Sequence, residues 1–350
     1  MILLLPSELQ KLIISYLTRK EYKATVPCKA LLFCKSYLPL KDYCKLNVIP
    51  LVNFSSKEIE ELFLLSCKTN SLKILRWLLN QNELIQPSVD NNCAIRAACR
   101  YGHKEVVEIL LKDARVDPSV LNNWPIISAS KEGHKEVVKM LLKDSRVDPS
   151  ASSNSAIGLA SLNGHKEVVE VLLKDSRVDP STDDNEAFIW AVDKNHKEIV
   201  EMLLKDPRVD PSVENNSAIL SAAHGGYTEI VEMLLKDSRV DPSVDNNSPL
   251  NEAFLYNHKE IVKMLLKDSR VDPSLDNNSI IIEASGDGHK EIVEILLKDP
   301  RIDPSADGNE AIYEAASNGH KEIVEMLLKD PRTNTRGKMK TALSIFRECL

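Results

Sequence analysis

The sequence predicts an all-α solenoid, a stack of short helix pairs joined by short loops, with a small helical segment at its N-terminus. Three observations predict it. A histidine returns at His103, His134, His165, His196, His258, His289 and His320, at intervals of 31 residues except for one of 62, where Tyr227 stands in register. The same apolar pattern surrounds each, as in GHKEVVEILLKDARVDPS from Gly102 to Ser119. Each unit also holds two short amphipathic segments, too small to bury their apolar sides alone. A fixed period near thirty residues is the signature of units that bury those sides on one another.

Composition narrows the function classes. The chain has 350 residues, with 45 Lys plus Arg against 52 Asp plus Glu, a formal net charge of −7. That balance argues against nucleic acid and membrane surfaces, which select a basic footprint. Seven cysteines, Cys28, Cys34, Cys44, Cys67, Cys93, Cys99 and Cys349, form no C-x-x-C pair and are odd in number. They suit a reducing compartment better than a disulfide framework. The opening MILLLPSEL lacks a basic region and a long apolar core, and no stretch has the length of a membrane span. The expectation is a soluble, cytoplasmic monomer.

Residues 1–56 do not repeat, and 1–40 are expected to be a helical segment. Leu9, Leu12, Ile13 and Tyr16 fall at helical spacing, and Pro6, Ser7 and Glu8 suit a helix start. A second run, Tyr22 to Phe33, is interrupted by Pro27. Leu5, Pro6, Glu8, Leu9, Ile13 and Leu17, followed by Val26, Cys28 and Lys29, resemble an F-box, from which Pro27 departs. The resemblance implies docking on the Skp adaptor of a cullin-type ubiquitin ligase. The alternative is a plain N-terminal cap over the first repeat. Pro39, Pro50 and the polar residues to Ser56 mark a connector over 41–56.

The repeat region spans 57–340. Its first copy is degenerate, with Leu72, Leu75, Leu78 and Leu79 as the stripe of its second helix. Eight regular copies follow. The first helix of each carries one apolar residue (Ile95, Ile126, Ile157, Phe188, Ile219, Leu250, Ile281, Ile312) and an alanine three residues later, from Ala98 to Ala315. A small residue fixed at one helical position implies close approach of another helix. The asparagine that precedes each copy, from Asn92 to Asn309, is expected to cap that helix, and Pro125 and Pro249 suit its first turn. In the second helix Val106, Val107, Leu110 and Leu111 form the apolar stripe, and Glu108 stands four residues before Lys112 in the favourable order. Pro118 stops the chain from continuing as helix. Thr341 is in register with the earlier copies, so 341–350 is expected to be a capping helix.

These residues resemble ankyrin repeats. Ser248-Pro249-Leu250-Asn251 is similar to the family's Thr-Pro-Leu-His opening, and Gly102, His103, Glu105, Val106, Val107, Leu110 and Leu111 match its central motif. The period is shorter than the family's usual ~33, and the missing residues fall where the family forms a β-hairpin. A tighter loop set by Asp117 and Pro118 is expected instead. Near-identical copies behind an F-box-like segment also resemble proteins of amoebae and their large DNA viruses, which implies host cytoplasm for a viral chain.

No catalytic, cofactor or metal site is expected. His103 and Glu105 are two residues apart, about 200° around a helix, and cannot share a metal. The ankyrin resemblance implies instead that the histidine ties neighbouring loops. No P-loop, dinucleotide fingerprint or nucleophile elbow is present. Function then lies where copies differ, at positions two, five and six after the apolar residue of the first helix, the face predicted to point away from the stack. Arg100, Tyr101 and Lys131 make its N-terminal end basic. Leu159, Leu162 and Trp190 form an apolar middle, with Leu162 and Trp190 as candidate anchors. His224, Glu252, Leu255 and Tyr256 follow, and Glu283, Asp287 and Glu314 complete an acidic stripe. The predicted function is non-catalytic protein binding: a substrate adaptor for a ubiquitin ligase if residues 5–33 are an F-box, a plain binding or decoy module if they are a cap.

Overall fold

A computed structural model describes residues 56–80 and 85–333. The expected F-box-like helices and the capping helix at 341–350 lie outside the described residues. The described residues hold helices and no strands, an all-α repeat solenoid of stacked helix pairs. They divide into two units, the first ending at Asp179 and the second beginning at Pro180.

In the first unit the helix pairs are α1 (Ser56–Lys68) with α2 (Leu72–Leu79), α3 (Val89–Arg100) with α4 (Lys104–Leu111), α5 (Val120–Lys131) with α6 (Lys135–Leu142), and α7 (Ala151–Leu162) with α8 (Lys166–Leu172). First helices pack on first helices in the order α1, α3, α5, α7; second helices follow as α2, α4, α6, α8. The second unit repeats the pattern. Its first helices are α9 (Thr182–Asp193), α11 (Val213–His224), α13 (Val244–Leu255), α15 (Leu275–Gly286) and α17 (Ala306–Ser317). Its second helices are α10 (Lys197–Leu204), α12 (Thr228–Leu235), α14 (Lys259–Lys267), α16 (Lys290–Leu297) and α18 (Lys321–Lys329).

The cores are built from the periodic apolar positions. Ile95, Ala98, Val106, Val107 and Leu110 are fully buried, and so are Ile219, Ala222, Ile230, Val231 and Leu234 in the second unit. Alanine at the contact allows first helices to lie side by side. Glu108 and Lys112 meet at 2.9 Å, the i,i+4 pair expected, on an exposed surface where it adds little.

The asparagines do something other than cap. The serine before each of α3, α5, α7, α9, α11, α13, α15 and α17 makes no side-chain cap bond either. The second to fourth residues of each are in the left-handed region, such as Asp90, Asn91 and Asn92, or Asp276, Asn277 and Asn278. Left-handed backbone costs most residues about 1–2 kcal/mol each, and Asn and Asp are the non-glycine residues that tolerate it best. The third residue then turns its carboxamide to the end of its own copy. Asn92 Oδ1 accepts the Asp117 N–H at 2.8 Å, and Asn216 Oδ1 accepts that of Asp241 at 2.7 Å. Asn247 holds the reversed amide, donating from Nδ2 to the Asp272 carbonyl at 2.6 Å.

Candidate functional site

The recurring polar residues bind the stack to itself. His134 Nε2 donates to the Arg100 carbonyl at 2.9 Å and His165 Nε2 to that of Lys131 at 2.8 Å. In the second unit His258 bonds the His224 carbonyl at 3.0 Å and His320 that of Gly286 at 2.9 Å. A carbonyl only accepts, so Nε2 carries the proton in each. Tyr227, which replaces one histidine, reaches the Asp193 carbonyl with its hydroxyl at 3.3 Å. His289 turns edge-on to Phe254 instead, with ring centroids 5.7 Å apart. Glycine makes room for these rings: Gly133 has φ +79°, and a Cβ there would lie 2.6 Å from His165 Nδ1.

The loops after the second helices are tight, as expected, and Ser119 donates both its N–H and its hydroxyl to Asp117 Oδ1 at 2.9 and 2.6 Å. Their arginine, which the sequence reading passed over, clamps one copy to the previous one. Arg146 forks onto the Asp144 carboxylate and donates to the Val116 carbonyl at 2.8 Å. Arg239 pairs with Asp237 in the same way and reaches the Val209 carbonyl at 2.7 Å. Arg301 reaches the carbonyls of Val271 and Leu266, both at 2.6 Å. A guanidinium near a helix C-terminus meets carbonyls that lack helical partners. Recurrence of this arginine from Arg115 to Arg332 was the available signal.

With the constant polar groups turned inward, the variable positions remain. Positions five and six point outward: Arg100, Tyr101 and Lys131 in the first unit are exposed, as are His224, Leu255, Tyr256 and Asp287 in the second. Leu162, at position five, is half-buried. Position two is more enclosed. Leu159, Trp190, Glu252 and Glu314 are half-buried, and only Glu283 is exposed. The reason is register: position two meets position five of the preceding copy, 28 residues earlier. Ser221 donates to Asp193 Oδ1 at 2.6 Å, and His224 Nδ1 lies 2.9 Å from Glu252 Oε2. A Cβ on Gly286 would touch Glu314 Cβ at 3.4 Å. Tyr256 packs edge-on against the His224 ring at 4.4 Å. Variable side chains of α9, α11 and α13, and those of α15 and α17, therefore meet on the outward surface of the second unit. Its large apolar residues with most exposure are Leu255, at 55%, and Tyr256, at 49%, rather than Trp190.

The first-helix acids of this surface differ from those behind it. Glu232, Glu260, Glu291 and Glu294 on the second helices have lysine partners at 2.8, 2.7, 3.0 and 2.8 Å. Among the described residues no ion pair involves Glu283, Asp287 or Glu314. No three His, Cys, Asp or Glu side chains gather among the described residues as a metal site requires. No described helix is long and apolar enough to cross a membrane. Burial pushes the Cys67 thiol up to about 12 and raises that of Cys99 as well, so neither is a nucleophile.

The family model for ankyrin repeats, in three copies, matches residues 42–122, 62–153, 126–215, 188–277 and 266–337. No curated protein matches the chain.

Proposed function

The chain belongs to the ankyrin-repeat family, a family of protein-interaction scaffolds, and from that premise we propose that it captures a protein partner on the variable face of its first helices without chemistry of its own. One observation carries the reading. The recurring His, Arg and Asn side chains are spent on bonds within the stack, while positions five and six turn outward and differ from copy to copy. In the first unit Arg100, Tyr101 and Lys131 are exposed there, with Leu159 and Leu162 half-buried; in the second His224, Leu255, Tyr256, Glu283 and Asp287 are exposed, with Trp190, Glu252 and Glu314 half-buried. A photo-crosslinking residue at position 256 should join the chain to a partner in host lysate, and one at Glu232, on the second helix α12, should not. Equal crosslinking from both positions would refute the face.

The finer reading makes the chain a substrate adaptor, with Leu5, Pro6, Glu8, Leu9, Ile13 and Leu17 holding a Skp adaptor. It rests on the F-box resemblance of those residues. Purified Skp retained by the full chain, and lost on changing Leu9 and Ile13 to serine, supports it. No retention leaves a plain binding module.

A further inference from the structure

Leu255 and Tyr256 form an exposed apolar step at the end of α13. Beside them along the same face come Glu283 and Asp287 on α15 and Glu314 on α17. Glu252, below the step, is occupied by His224 at 2.9 Å. Among the described residues the other three carboxylates have no cation, and Lys259 is committed to Glu291 at 3.0 Å. An apolar step of this kind marks a contact surface, and the unneutralised charge beside it selects a cationic occupant.

We propose that this surface binds an extended peptide segment of a partner, with one aromatic or large aliphatic side chain followed by Lys or Arg at the third and sixth positions. The spacing comes from the stack. Packed helices lie about 8–10 Å apart, and an extended polyproline-II chain advances about 3.1 Å per residue with three residues per turn, so every third side chain returns to the same face, once per copy. The apolar side chain rests on Leu255 and Tyr256. The first basic group meets Glu283 and Asp287, and the second meets Glu314. An extended segment suits this face better than a helix, because a helix rises only about 1.5 Å per residue and would present its turns out of step with the copies. The proposal deepens the binding role above and rests on it.

The test selects binders for the full-length chain from a display library of random linear peptides. Affinity is then measured by fluorescence anisotropy for the wild type, the pair Leu255→Ser and Tyr256→Ser, and the triple Glu283→Gln, Asp287→Asn and Glu314→Gln. The expected binders carry the apolar-x-x-basic-x-x-basic pattern, in either chain direction. Each set of substitutions should weaken them by at least about tenfold with the melting temperature unchanged. Raising salt should weaken the wild type more than the triple variant. Binders that depend on Leu255 and Tyr256 but lack basic residues would overturn the proposal and leave the binding face standing. Binders indifferent to both sets, or no binders, would overturn both.

Discussion

Gly225 lies beneath the ring of Tyr227: a methyl group at residue 225 would come within 2.5 Å of the ring carbon Cζ. The other regular copies place Tyr101, Glu132, Asn163, Lys194, Tyr256, Asp287 or Asn318 at this position, and there a histidine stands two residues later. The longer tyrosine ring is what demands glycine here, since the Gly225 backbone is ordinary right-handed helix at φ −74°. Gly225→Asn should therefore destabilise the chain by about 1 kcal/mol, by displacing the ring from the Asp193 carbonyl. The same change in a Tyr227→His background should be close to neutral. A double-mutant cycle in urea reads the coupling, expected at about 0.5–3 kcal/mol. Additive effects would show that the ring and the glycine are independent.

Leu121 is a leucine in left-handed backbone, φ +51°, with 52% of its surface exposed. Its counterparts are Asp90, Ser152, Asp183, Glu214, Asp245, Asp276 and Asp307. Nothing buried compensates the strain, so Leu121→Asn should stabilise by about 1 kcal/mol. The reverse experiment, Asn122→Leu, should destabilise, with further loss from the Asn122 Nδ2 bond to Ser152 Oγ at 2.6 Å. Thermal unfolding of the two variants checks both signs.

The contrast between these residues shows what the sequence could carry. The period, the apolar stripes and the fixed alanines could be read directly, because burial repeats with the helix and needs no knowledge of partners. Asn92 and Arg146 could be seen to recur, but their roles could not be deduced. The groups they bond across the stack are backbone groups 25 and 30 residues away, and a backbone partner leaves no complementary side chain in the sequence. The commoner use of asparagine before a helix is as a cap, and that is the role the sequence alone predicts. For the candidate site, the outward turn of Tyr101, Leu255 and Tyr256 followed from single-helix geometry. The enclosure of Glu252 and Glu314 did not, because it arises from the neighbouring helix.

Arg239 joins Asp237 and the Val209 carbonyl through one guanidinium. Its side chain is 39% exposed, which moderates each bond. Arg239→Met should still destabilise by about 1 kcal/mol, by leaving a part-buried carbonyl and a carboxylate without their donor. Arg239→Lys should rescue little, since a single ammonium cannot span both acceptors. Hydrogen exchange should show the loss at the loop between α12 and α13 before the helices themselves open. Full rescue by lysine would mean that charge alone, not the fork, is what the loop uses.

The same pairs set the response to acid. Asp113, Asp144, Asp175, Asp206, Asp237, Asp268, Asp299 and Asp330 each have a carboxyl held below the usual range, first by the hydrogen bond from the arginine two residues on. Their side chains are mostly covered, with exposures of 11–19%. A pKa depressed by folding means the folded state prefers the carboxylate. The stabilisation is complete above the unfolded aspartate value, about 3.9, and is lost as pH falls through the lower folded values. Because eight loops share the device, their losses accumulate across the array. The urea midpoint should thus show no contribution from these aspartates to any change between pH 7 and 5, then fall steeply below pH ~4. Asp237→Asn should lower the midpoint at neutral pH and make the acid fall shallower, because the asparagine has no proton to gain. A variant whose acid fall matches the wild type would show that the pair is not what acid breaks.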